Sequence, residues 1–301
     1  MQSESAPPQQ ALDENDSNNL SIAASAIREW HTQKSVYALV LRLTVGSLFK
    51  LHVDNGRLVH AAFLDMIRSI DPVLSQTLHS ANERKPYTTS PVWGAGSLLK
   101  EGDEAFVRLT MLDPTLAGHF VQKFWLYGSA QRFELAGVPF AVTHVHITPE
   151  GHARAGMFPI QPLGNDDVKR IVRVDFLTPT AFSRNHGNQT KFETAMQPRE
   201  LWNYARRQWE MAGGDSPGRV FDDWVEAHTE VLRMNTQRYW VDFPRFKIPG
   251  IVGYGVYKLA HCDPDEPNAR WWRHFARFMP FSSLGAKTTM GLGQCVVSFE
   301  D

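Results

Sequence analysis

Val36-Tyr37-Ala38-Leu39-Val40-Leu41-Arg42-Leu43-Thr44-Val45 places Tyr37, Leu39, Leu41, Leu43 and Val45 at alternate positions, with Arg42 and Thr44 between them. A period of two marks a strand with one buried face. Downstream, Val59, Ala62, Phe63, Met66, Ile67 and Ile70 recur at helical spacing and form one apolar stripe, suited to packing on that strand. Asp71-Pro72 stops or kinks this helix, because a residue before proline is steered out of the helical region. A short helical stretch over 73–78 leads to His79, Lys85-Pro86-Tyr87-Thr88 opens a strand, and 105–111 reads as another. Asp113-Pro114 supplies an N-cap and first-turn pair for a helix reaching about residue 125, and 140–147 gives a further strand.

That order, β-α-β-β-α-β, is the ferredoxin-like arrangement also found in RNA-recognition folds. A second pass follows, with a strand at 168–177, helices at 198–211 and 220–232, strands at 239–246 and 251–259, a helix at 267–278 and a last strand at 295–299. No internal repeat is visible residue by residue. The expected fold class is α+β, with tandem ferredoxin-like (RRM-like) domains and a glycine-rich loop near the C-terminus. The expected division is a flexible tail over 1–35, a first domain over 36–150 and a second over 151–301. The first 20 residues, rich in Ser, Gln, Asn, Pro and acid, hold too little apolar material to fold alone.

Bulk properties narrow the classes. A chain of 301 residues has ample material for buried cores. It carries no membrane-length apolar run and no secretory layout at its start, so a cytoplasmic protein is expected. Cys262 and Cys295 lack the spacing of a zinc site and read as small core residues. The formal net charge of −1 is low for a nucleic-acid binder, even after the acidic tail is set aside. Any RNA site must then be a local patch.

Just before the last strand stands Ser283-Leu284-Gly285-Ala286-Lys287-Thr288-Thr289-Met290-Gly291-Leu292-Gly293-Gln294. Glycines allow positive φ and close backbone approach, so amides here can converge on an anion, with Lys287 adding a charge. It is not a Walker loop: Ala286 precedes Lys287, and a strand follows rather than a helix. A plain hairpin before a final strand fits the same residues.

The loop resembles the C-terminal glycine-rich signature of the CRISPR repeat-processing endoribonucleases, the Cas-six family of RAMP proteins. Ser283 stands where that pattern usually has its first glycine. The resemblance extends over Asp71-Pro72, Leu78-His79, Lys85-Pro86-Tyr87-Thr88, then Phe176-Leu177-Thr178-Pro179-Thr180 with Phe182, and Gly250 with Gly253-Tyr254. It implies CRISPR repeat RNA (precursor crRNA) as the partner and allows contact with CRISPR effector-complex proteins. It implies neither a membrane nor a cofactor, and leaves the oligomeric state open.

The implied reaction is RNA cleavage by the ribose 2′-OH without metal, leaving a 2′,3′-cyclic phosphate and a 5′-OH. It needs a base, an acid and a cation for the phosphorane. Histidine suits both proton transfers, with a free pKa of ~6.5. His79 is the expected acid–base group, Lys85 the cation, His60 a second acid–base candidate, and Arg84 a possible further charge. Where some family members place a tyrosine on the first helix, this chain has Leu64. Taken without the resemblance, His79 closes a helix and Lys85 is a solvated charge.

For RNA contact the candidates are Gly285, Lys287, Thr288, Gly291 and Gly293 in the loop. Arg270, Arg273, His274 and Arg277 form a second group, at helical spacing. Arg233, Arg238, Arg245 and Lys247 add charge nearby, and Trp202, Trp209, Trp271 and Trp272 suit either stacking or a core. His144 and His146 form a His-x-His pair resembling half of a two-histidine phosphoesterase motif, whose second half is missing. Two other readings remain, a non-cutting RAMP subunit that binds crRNA and a phosphodiesterase of small cyclic substrates.

Overall fold

The structure, a computed structural model, describes residues 34–80, 85–114, 116–117, 132–161, 168–186, 189–244 and 246–300. The 1–33 part of the expected tail, Arg84, Arg245 and most of the helix expected over 113–125 lie outside them.

The first half runs β1 (Ser35–Val45), β2 (Phe49–Lys50), α1 (Gly56–Ile70), α2 (Pro72–Ser80), β3 (Tyr87–Thr89), β4 (Trp93–Gly94), β5 (Leu98–Leu99), β6 (Glu104–Met111), β7 (Arg132–Leu135), β8 (Val138–His146) and β9 (Gly156–Pro159). Its main sheet has the order β3-β6-β1-β8-β7, all pairs antiparallel. With β1, β3, β6 and β8 as the four principal strands, this is the ferredoxin-like order. The alternation in β1 works as expected: Leu39, Leu41 and Leu43 are buried against Val59, Phe63 and Ile67 of α1 and against Val107 and Leu109 of β6.

The second half runs β10 (Ile171–Thr180), β11 (Phe182–His186), β12 (Gln189–Glu193), α3 (Pro198–Met211), α4 (Val220–His228), β13 (Thr229–Phe243), β14 (Phe246–Leu259), α5 (Pro267–Ser282) and β15 (Cys295–Glu300). The order β13-β14-β10-β15 repeats the first topology. Its core joins Val172, Val174 and Phe176 to Trp202 and Trp209 of α3 and Trp272 of α5. Those three tryptophans are therefore core residues, and Trp202 stacks on Trp272 with centroids 4.9 Å apart.

Three expectations need correction. The helix expected over 220–232 ends at His228, because the ladder with β14 claims the chain from Thr229 onward. Such long-range pairing overrides local propensity. The strand expected over 239–246 is instead the end of β13 and the start of β14, with Pro244 at the turn, where its missing N–H costs the ladder nothing. The boundary expected at 150 cuts off β9, which pairs with β1 from Ser35↔Pro159 to Ala38↔Gly156.

β9 also ties the halves together. Phe158 packs at 5.2–5.8 Å on Trp209, His274, Phe278 and Phe281 of the second core. Beside it, buried Arg108 of β6 donates to the carbonyls of Arg154 and Pro280, both at 2.8 Å. A buried guanidinium needs such acceptors.

The glycine loop provides the other tie. Ser283 takes φ +54 and ψ −175, a region that disfavours side chains, so it follows a glycine-like path without being glycine. Its buried hydroxyl lies 3.2 Å from Thr88 Oγ1 and accepts from Gln294 Nε2 at 2.8 Å. Ser283→Ala keeps the strain and loses these bonds, which costs about 1–3 kcal/mol. Ser283→Gly loses the same bonds but sheds about 1–3 kcal/mol of strain. Chemical denaturation is expected to rank wild type and Ser283→Gly close together, with Ser283→Ala clearly below both; equal losses in the two variants would refute the strain.

Candidate active site

Two helix ends and the glycine loop enclose a cleft of about 520 Å³ between the halves. His60, from the first turns of α1, and His79, in the last turn of α2, face it together with Lys85, Gly285, Lys287 and Thr288. The opposite wall is Asn203, Tyr204 and Arg207 of α3, with Phe182 beside them.

His79 is exposed, in the last turn of α2. Lys85 Nζ donates to the carbonyl of His79 at 3.2 Å and to that of Leu78, so it caps the helix that carries the histidine. Partial burial pulls the Lys85 ammonium below its ordinary range.

His60 is half-buried. Its Nδ1 lies 3.3 Å from Tyr87 Oη, and the two rings stack with centroids 6.0 Å apart. Burial, followed by the positive charges of His79, Lys85 and Lys287, pulls its pKa down to about 4, against a hydrogen bond to the Thr289 backbone that favours the charged ring. The ring is thus neutral near pH 7. Burial holds the Tyr87 phenol well above its usual range, so it stays protonated.

The loop shows a division of labour. The N–H groups of Ala286 and Gly293 donate to Ala181 O at 2.7 Å and Pro179 O at 3.2 Å, and that of Met290 to Lys287 O at 2.8 Å. Gly291 and Gly293 are buried and do not line the cleft, which corrects their reading as RNA contacts. Each is glycine because of neighbouring backbone. A Cβ on Gly293 would come 1.9 Å from Leu284 O, and one on Gly291 would come 2.8 Å from Gly56 Cα. Gly285, Lys287 and Thr288 do face the cleft, with Lys287 at φ +60 and its Nζ 5.7 Å from the Phe246 ring centroid.

The α5 stripe breaks up. Arg273 is fully buried and donates from Nη2 to Pro264 O at 2.8 Å, so it is not a surface contact for RNA. His274 is buried among Phe158, Trp209 and Trp271. Arg270 and Arg277 are half-buried, Arg277 lying over Phe299 at 4.9 Å, and neither lines the cleft. His144 and His146 sit on the far face of the first sheet. Among the described residues no three His, Cys, Asp or Glu side chains converge to hold a metal.

Sequence reading missed the α3 wall. Glu200, Asn203 and Arg207 recur at three- and four-residue spacing as a polar face, a signal that any solvated helix gives equally. Within the cleft Glu200 is paired with Arg184, so the remaining charge is mostly positive.

Two family models cover most of the chain. Residues 35–156 match the CRISPR Cas6 N-terminal domain, and residues 174–295 match the CRISPR-associated endoribonuclease Cas6. The chain belongs to the Cas6 family. Among solved structures, a Cas6 product complex is 27% identical, with a TM-score of 0.73 over 87% of this chain and 100% of that one. Thermus thermophilus Cas6 is 25% identical, with a TM-score of 0.66 over 88% and 98%. A Cas6-related protein from Pyrococcus furiosus, at 12% identity and a TM-score of 0.58 over 88% and 100%, shares the fold. No curated protein sequence matches significantly. No described helix of this Cas6 chain is long and apolar enough to cross a membrane.

The Cas6 cleft is therefore a cationic slot with one exposed and one neutral histidine. Because the folded pKa of His60 lies below the unfolded value, the unfolded chain binds the extra proton, and stability falls as pH drops from ~6.5 towards the folded value. Ring NMR titration is expected to find His60 near the low value of about 4. Titration at the ordinary histidine value would mean that the ring is solvated.

Proposed function

We propose that this endoribonuclease cuts precursor CRISPR RNA within its repeats by attack of the ribose 2′-OH, with acid–base catalysis from side chains and no metal. The supporting observation is that His79, exposed at the end of α2, shares one cleft with Lys85, His60 and Lys287 of the glycine loop. A scissile phosphate held against Lys287 and Thr288 of the loop lies in the same cleft as both histidines.

The 2′-oxygen bonds to phosphorus as its proton leaves, the P–O5′ bond breaks, and O5′ takes up a proton. The products are a 2′,3′-cyclic phosphate and a 5′-OH. His79 is the principal proton carrier. His60 starts neutral and can only accept at first. The phosphate offsets the repulsion of the surrounding cations and returns the ring towards its ordinary range, making it the partner of His79. Lys85 and Lys287 stabilise the charge that develops on the phosphorane oxygens. Leu64, close to both histidines, supplies no proton, so positioning by the loop carries more of the rate.

Labelled repeat RNA incubated with the protein in EDTA is expected to be cut once per repeat. His79→Ala should lose about 10²–10⁴-fold in single-turnover rate while RNA binding is kept. The upstream product should resist phosphatase until acid opens its cyclic phosphate. A free 3′-OH on that product, or cutting that stops in EDTA, would overturn the mechanism. Binding without any cutting would favour a crRNA-binding subunit.

A further inference from the structure

The first sheet has an outer face, opposite α1 and α2, that the second half covers only in part. Arg108 and Phe158 occupy the covered end. The other end carries rings and cations that neither core uses. Arg42 of β1 has Phe106 of β6 and His144 of β8 as its direct cross-strand partners, so a ring flanks the guanidinium on each side.

The ring row continues across the face. His144 stacks on His146 at 6.0 Å with planes 4° apart, His146 lies 6.1 Å from His152, and His152 lies 5.3 Å from Phe106. The Arg154 amide donates to His152 Nδ1 at 3.1 Å, which fixes the ring. The Arg154 side chain lies over Trp93 at 4.3 Å, and the two border a groove of about 480 Å³ with Phe106 and His152. The one carboxylate in that groove, Glu104, is paired with Arg42.

In a chain of net charge −1, this cluster is not a consequence of bulk basicity. The patch presents rings and cations side by side. Unpaired RNA asks for that combination, π-faces for bases beside cations for phosphates. The patch is also within reach of the cleft. Residues 85–93 run from Lys85 in the cleft to Trp93 in the groove, at most roughly 27 Å of extended chain.

We infer that this open half-sheet binds unpaired RNA flanking the repeat that the cleft cuts. The inference rests on the proposed function for the identity of the RNA, and the patch is separate from the cleft.

The test is fluorescence anisotropy with a short labelled oligouridylate, which cannot form a hairpin. Phe106→Ala is expected to weaken binding about tenfold, the usual loss for one stacking ring. His144→Glu, at an exposed position of the ring row, should weaken it comparably and flatten its salt dependence. Saturating unlabelled repeat RNA should leave the oligouridylate bound. Wild-type affinity in both variants, or full displacement by the repeat, would overturn the inference. Failure of the wild type to cut the repeat would count against the endonuclease reading alone, since the two variants still report on oligouridylate binding.

Discussion

Two backbones meet at Gly56 and Gly291, where the first turn of α1 touches the C-terminal loop with no side chain between them. A Cβ on Gly56 would come 2.3 Å from Met290 O and 2.6 Å from Gly291 Cα. This approach lets a loop from the second half lie against the helices of the first. Thr89 Oγ1 donates to Thr289 O at 2.8 Å, and Gln294 Nε2 donates to Thr89 O at 3.2 Å. The contact at His60 closes the same seam. Glycine is needed here for lack of bulk, a reason distinct from cradling phosphate.

Given that seam, the electrostatics follow. Lys287 is delivered to a slot already holding Lys85 and His79, and burial, reinforced by the accumulated charge, drives His60 neutral. A site that repels its own protons in this way is suited to an anion, since a phosphate relieves the repulsion as it enters. Lys85 illustrates how economical the arrangement is. Its ammonium fixes the end of α2 through two carbonyls while remaining at the cleft, so it both positions His79 and supplies charge.

Much of the fold was legible in the sequence. The alternation in β1, the stripe on α1 and the proline-led starts of α3 and α5 are local signals, and each element forms where its signal stands. The cleft was legible only through short motifs: His79, Lys85 and the loop come together although nothing local says that they meet. What was illegible depends on tertiary context. Arg273 shares the helical spacing of Arg270 and Arg277, yet its face turns inward, where carbonyls replace water. The polar face of α3 resembles any solvated helix until the loop is folded against it. β13 extends ten residues before its expected start because a partner strand, not its own composition, determines its length.

The account therefore turns on whether backbone contact at Gly56 builds the catalytic cleft. Single-turnover cleavage by Gly56→Ala is the direct measurement, since alanine favours α1 itself and isolates the effect on the seam. A displacement of the loop by about 1 Å predicts a rate roughly a hundredfold lower, with both halves still folded by circular dichroism. Cleavage at the wild-type rate would contradict it.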